Sequence, residues 1–188
     1  MQIEKECHTP VRTWIKDLIR GFLANLEWNY LNLSFVKNTQ LGRGVKIYNH
    51  CNIFGSNIGD GTQIASFVEI QNNTKIGKRC KIGAYCFIPE GTILEDEIFL
   101  GVGTKICNDR VPMACVNGKL KEKKDWRLSP VTIKTGASVG ANCTILPGLT
   151  IGKNSLLGAG SVLTKDMGDN ELWYGNPARL AASNFQLK

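Results

Sequence analysis

Only two histidines, His8 and His50, occur in the 188-residue chain, so a general base of the commonest kind has few places to sit. The seven cysteines (Cys7, Cys51, Cys80, Cys86, Cys107, Cys115, Cys143) contain no Cys-x-x-Cys pair. Without such a pair a thiolate zinc site is not expected, and two histidines cannot supply a three-histidine one, so no metal is expected. The residue types suited to holding a polar ligand gather instead between Ile106 and Ile133. There Asn108-Asp109-Arg110 opens a stretch that continues through Pro112, Lys119, Lys121, Lys123 and Lys124 to Asp125-Trp126-Arg127. Asn-Asp also favours a loop-opening turn, and the lysine run reads equally as a solvated face or as a phosphate contact. The formal charge of +7 calls for an anionic partner. The basic residues are too scattered for nucleic acid and better suited to a phosphorylated small molecule.

The elements that must position these groups announce themselves as a repeat. Ile58, Ile64, Ile70, Ile76, Ile82, Ile88, Leu94, Leu100 and Ile106 recur every six residues. The beat resumes at Ile133, Val139, Ile145, Ile151, Leu157 and Leu163, and Leu41, Ile47 and Ile53 lead into it. Six fits neither a helical stripe nor simple alternation, but it fits a short strand plus a corner with the aliphatic side chain pointing inward. Four residues after each aliphatic comes a small or β-branched residue, among them Thr62, Val68, Thr74, Cys80, Cys86 and Cys143. Such residues suit a second inward position in a narrow corner. Three hexads make a triangular coil, and the expected fold is mainly β: a left-handed parallel β-helix of about six coils over residues 37–168, with a loop insertion at 107–132.

Residues 1–36 are expected to hold an amphipathic helix, with Thr9-Pro10 as its start and Val11, Trp14, Ile15, Leu18, Ile19, Phe22 and Leu26 on one face. Arg12, Lys16 and Arg20 are offset by Asp17 and Glu27, so it is expected to pack on protein rather than on a membrane. Residues 169–188 form the expected C-terminal cap. No apolar run reaches the ~18 residues of a membrane span, and the opening Met-Gln-Ile-Glu-Lys-Glu is too acidic for a signal peptide, which reads as cytoplasmic.

Phe67-Val68-Glu69-Ile70-Gln71, Asn108-Asp109-Arg110, Asp125-Trp126, Gly136-Ala137-Ser138-Val139-Gly140-Ala141, Gly158-Ala159-Gly160-Ser161-Val162 and Gly175-Asn176-Pro177-Ala178-Arg179 occur in that order. Together they resemble the hexapeptide-repeat acyltransferases, and within them the N-acetyltransferases of nucleotide-linked 3-amino sugars. The resemblance implies a homotrimer with sites between subunits, acetyl-CoA as donor, and a dTDP- or UDP-linked amino sugar as acceptor. It places Trp126, Gly140, Ala141, Gly158, Ala159, Lys165, Pro177 and Arg179 near the donor and Phe67, Glu69, Gln71 and Arg110 near the acceptor. It also implies histidines where this chain has Tyr85 and Val102, and arginine where it has Met113.

An alcohol must lose its proton to a base as it attacks a thioester, whereas an unprotonated amine is already a competent nucleophile. The missing histidines therefore favour N-acylation. A sugar amine flanked by oxygens titrates below the ~10.4 of lysine, leaving a free fraction at neutral pH. On this reading Asn108 and Asp109 hold the amine, Asp109 attracts the released proton, and Tyr85 lines the pocket. The alternatives are O-acetylation of a sugar hydroxyl and a non-catalytic β-helix scaffold. A γ-type carbonic anhydrase would need three histidines for zinc.

Overall fold

The computed structural model describes residues 33–186. The amphipathic helix expected from Val11 to Leu26 lies outside the described residues.

The hexads form a three-sided parallel β-helix. Its first face stacks Phe35–Lys37, Asn52–Phe54, Glu69–Ile70, Phe87–Ile88, Lys105–Ile106, Thr144–Ile145 and Val162–Leu163. The second face stacks Gln40–Leu41, Asn57–Ile58, Lys75–Ile76, Ile93–Leu94, Thr132–Ile133 and Thr150–Ile151. The third runs through Lys46–Ile47, Gln63–Ile64, Lys81–Ile82, Phe99–Leu100, Ser138–Val139, Leu156–Leu157 and Leu172–Gly175, and closes with the antiparallel strand Ala178–Ala182. Phe35–Lys37 below and Leu172–Gly175 above lengthen the stack beyond the coils counted from hexads. The register sets each repeat aliphatic on its counterpart, as in Ile58, Ile76, Leu94, Ile133 and Ile151. These columns are the core, and each side chain buried this way contributes roughly 1.5–3 kcal/mol.

The second inward position is explained by hydrogen bonding as well as by size. Corners turn carbonyls inward, where water cannot reach, and a buried carbonyl left alone is costly. The Thr62 hydroxyl donates to Gly77 O at 2.9 Å and accepts from Cys80 N at 3.1 Å. Thr104 donates to Gly101 O, Ser161 to Gly158 O, and the thiols of Cys80, Cys86 and Cys143 to Glu95 O, Gly101 O and Gly158 O. Burial pushes these three thiols up from their ordinary range, so they are structural donors rather than nucleophiles. Among the described residues no helix is long and apolar enough to cross a membrane.

Candidate active site

Every coil turns from the third face back to the first through a residue with positive φ. In succession these are His50, Phe67, Tyr85, Gly103, Asn142 and Gly160, with φ of 62°, 61°, 61°, 74°, 55° and 71°. The left-handed conformation costs an ordinary residue about 1–2 kcal/mol, and glycine or asparagine relieve it. Three aromatic residues accept that cost at adjacent levels. His50 stacks on Phe67 and Phe67 on Tyr85, each with centroids 4.9 Å apart. That separation is the spacing of neighbouring strands, so the fold itself sets the ring ladder. Phe67 and Tyr85 remain 48% and 55% exposed. Neither fills the core. Lys105, one level above Tyr85 on the first face, donates from Nζ to Tyr85 O.

Beside this corner, at the end of the third face, Gly83, Gly101, Gly140 and Gly158 form a column. A Cβ on Gly101 would lie 2.5 Å from Ala141 N, and one on Gly140 would collide with the backbone of Ala159. Glycine is thus required by the closeness of the coils. The consequence is an edge of backbone without side chains, running past Ala141 and Ala159 to the hairpin that carries Pro177 and Arg179. The hairpin joins this edge directly, since Gly158 N donates to Trp173 O at 2.7 Å. Arg179 is exposed and donates to Ala178 O.

The opposite border of the first face is the loop. Along that border a ladder of contacts climbs from coil to coil: Gln71 Nε2 donates to Glu69 Oε1 at 2.9 Å, and Gln71 Oε1 accepts from Glu90 N at 3.3 Å. Asn108 Nδ2 donates to Glu90 O at 3.1 Å, so its side chain anchors the start of the loop. Asp109 bridges Leu128 across the loop. One carboxylate oxygen of Asp109 accepts from Val111 N at 2.9 Å and the other from Lys121 Nζ at 2.7 Å. Lys121 also donates to Val111 O at 2.6 Å, and its side chain is only 10% exposed. The Lys121 ammonium, together with the Val111 amide, holds the Asp109 carboxyl below its ordinary range. With both oxygens engaged, Asp109 is a poor proton acceptor. The lysine run is thereby divided: Lys121 is tied inside the loop, while Lys124 makes an exposed pair with Glu122.

Asp109, Arg110, Met113, Lys121, Trp126 and Arg127 line a cleft of about 270 Å³ within the loop. The Arg110 guanidinium lies against Gly148, where a Cβ would come within 2.6 Å of it. Lys165 is exposed on the same side, at the turn following Val162–Leu163. The expected acceptor residues therefore all lie on the first face or its two borders. The expected donor residues divide. Gly140, Ala141, Gly158, Ala159, Pro177 and Arg179 share the glycine edge, whereas Trp126 and Lys165 lie on the loop side. Sequence reading left His50 aside, yet it belongs to the Tyr85 ladder. The signal was present in the intervals from 50 to 67 and from 67 to 85, each one coil. Lys105 was likewise visible only once the coils were stacked, and the pairing of Lys121 with Asp109 only once the loop folded back on itself. Among the described residues no group of three or more His, Cys, Asp or Glu is placed to hold a metal.

The model of the bacterial transferase hexapeptide, six repeats, matches residues 55–90 and 130–165. Among curated relatives, the bifunctional protein GlmU of Acinetobacter baumannii strain AYE is 26% identical over 167 residues, covering 80% of this chain and 34% of that protein. This chain thus spans about a third of such relatives. Among solved structures, a mutant of AntD, an N-acyltransferase from Bacillus cereus in complex with dTDP and coenzyme A, superposes with a TM-score of 0.57. Its sequence identity is 22%, over 81% of this chain and 84% of that one. A mutant of GDP-perosamine N-acetyltransferase from Caulobacter crescentus, in complex with CoA and GDP-perosamine, gives a TM-score of 0.53 at 19% identity, over 88% of this chain and 65% of that one. At these identities the likeness is one of fold. The segments matched by the family model are the hexads whose aliphatics fill the core of the parallel β-helix.

Proposed function

We propose that this protein is an acetyl-CoA-dependent N-acetyltransferase acting on the amine of a dTDP- or UDP-linked 3-amino sugar, as a cytoplasmic homotrimer without a histidine base. The observation that carries this reading is the first face itself. One border is an exposed aromatic corner beside a side-chain-free backbone edge, and the other is a polar loop with Asn108 and Asp109. The edge suits a thin donor arm that hydrogen-bonds to backbone, and the face suits an elongated anionic acceptor. The solved relatives named above, crystallised with CoA and with dTDP or GDP-perosamine, support the same pairing of ligands.

The chemistry asks little of the chain. The amine nitrogen attacks the thioester carbonyl, the carbon–sulfur bond breaks, and the ammonium proton passes to the departing thiolate, giving amide and free thiol. Alignment supplies the catalysis, and because the edge glycines spend their N–H groups on neighbouring coils, the oxyanion donors are the N–H groups of Ala141 and Ala159 beside them. Because Asp109 is already paired with Lys121, its part is to orient the acceptor rather than to take the proton. Tyr85 lines the acceptor pocket. O-acetylation is the second reading, favoured by one feature: His50 stands on the same corner.

A thiol-release assay with acetyl-CoA tests both, using dTDP- and UDP-linked 3-amino and 4-amino sugars with the matching hydroxy sugars as controls. Turnover confined to an amino sugar is expected. Turnover of the hydroxy sugars would establish O-acetylation, and silence across the panel together with no CoA binding would leave a scaffold.

A further inference from the structure

We propose that the aromatic corner is a stacking platform for the base of a nucleoside diphosphate, and that this base lies on the Tyr85 ring at the level of Gly103. The inference rests on the acceptor class proposed above and fixes which end of that acceptor lies where. His50, Phe67 and Tyr85 stack with their rings facing along the axis of the helix, 4.9 Å apart. The fold continues upward at that interval, but the next residue of the corner is Gly103, with no side chain to cover Tyr85. The upper face of a half-exposed phenol ring is thus presented one rung below a glycine. Asn142, another level up, directs its Oδ1 onto Gly103, and Val102 is exposed beside it. A planar heterocycle continues the ladder there with an apolar flank and an amide above. A ring-shaped ligand at this rung gains stacking on the Tyr85 ring and lies outside the Asn142 amide that reaches down to Gly103.

The surroundings favour a base carrying phosphates over an uncharged ring. Lys105 reaches back to Tyr85 O and sets an ammonium at the edge of the platform, on the path from the corner across the first face. From Gly103 to Asp109 the chain advances six residues, so the two ends lie at most about 20 Å apart. The platform then holds the base, Lys105 meets the diphosphate, and the sugar reaches the Asn108–Asp109 border. The rest of the corner shows that aromatic residues are not required there by the fold. The same turn is made by Gly103, Asn142 and Gly160.

Isothermal titration of the full chain with dTDP, UDP, inorganic pyrophosphate and coenzyme A, using wild type, Tyr85→Asn and Tyr85→Trp, tests this. Asparagine already makes this turn at Asn142, so Tyr85→Asn keeps the fold, and an unchanged melting temperature verifies it. Wild type and Tyr85→Trp should bind a nucleoside diphosphate about tenfold or more tighter than pyrophosphate, and Tyr85→Asn should lose that preference while keeping its affinity for pyrophosphate and coenzyme A. A preference retained in Tyr85→Asn, or absent from wild type, overturns the platform. The binding experiment involves no acyl transfer. If thiol release fails while base preference still depends on Tyr85, the acetyltransferase reading falls and the platform stands; nucleotide-sugar turnover with unchanged KM in Tyr85→Asn gives the reverse.

Discussion

Replacing Gly101 by alanine should destabilise the protein through coil spacing alone. Gly101 has no positive φ, so alanine adopts its backbone conformation without strain. The added Cβ, however, would lie 2.5 Å from Ala141 N and 2.6 Å from Gly140 C, where ordinary contact begins at 3.4 Å. Both atoms are backbone and neither can rotate away. The coils must separate locally by about 0.9 Å, at the expense of the Gly101 N to Val139 O hydrogen bond of 2.7 Å. Overpacking of this kind costs about 1–3 kcal/mol. In a chain of this length that lowers the melting temperature by about 2–12 °C. Gly160 is the control, since a Cβ there would meet nothing within 4 Å but its φ is +71°. Gly160→Ala should cost about 1–2 kcal/mol from conformation, and Gly160→Asn should recover most of it, as Asn142 occupies the same turn. At Gly101 asparagine should be worse than alanine. Differential scanning calorimetry on the four variants decides. A Gly101→Ala melting temperature within about 1 °C of wild type would refute the argument from spacing. Because the displaced atoms belong to Gly140 and Ala141, the KM for acetyl-CoA should rise in the same variant.

Lys121→Met should loosen the loop. The folded Asp109 carboxyl sits below its ordinary value, so the pair is intact at neutral pH and is lost only as pH falls below the usual aspartate range of about 3.9. Limited proteolysis should accordingly find the wild-type loop protected from neutral pH down to the ordinary aspartate pKa of ~3.9, and Lys121→Met cleaved throughout; equal cleavage of the two would show the pair to be ornamental. Thr62→Val keeps the shape but strips Gly77 O and Cys80 N of their shared partner. It should lower stability by about 1–3 kcal/mol in urea titrations, and no change would mean that corner carbonyls do not need the inward hydroxyls. His50→Asn should retain N-acetyl transfer to an amino sugar, measured by thiol release, whereas a hydroxyl-directed enzyme relying on this imidazole would lose about 10²–10⁴-fold.

The core was legible in the sequence because the repeat fixes it twice, once by the aliphatic and once by the small residue four positions on. Ile70 needs no neighbour in sequence to declare itself buried; its period does so. The same regularity hides the site. Tyr85 and His50 are 35 residues apart, and only the coil length converts that interval into two rungs of one ladder. The loop was legible as an interruption but not in its internal bonding. Nothing local marks Lys121, rather than Lys119 or Lys124, as the partner of Asp109, because that choice is made by a backward fold of the chain through Cys115–Val116 and Lys119–Leu120.

In a repeat fold, departures from the repeat carry the information about function. Stability asks each corner for glycine or asparagine and each face for a short strand. Three consecutive aromatic residues in the left-handed region, and a loop held by a largely covered ion pair, satisfy neither demand. They border the same face from opposite sides, and the ladder from Gln71 through Glu90 to Asn108 climbs the loop border from coil to coil. Arg79 and Glu97 also take the left-handed conformation, on the corner between the second and third faces, but there the two side chains pair with each other. Here Phe67, Tyr85, Glu69, Gln71, Asn108 and Asp109 all collect on the first face, which is the physical reason for seeking the acceptor there.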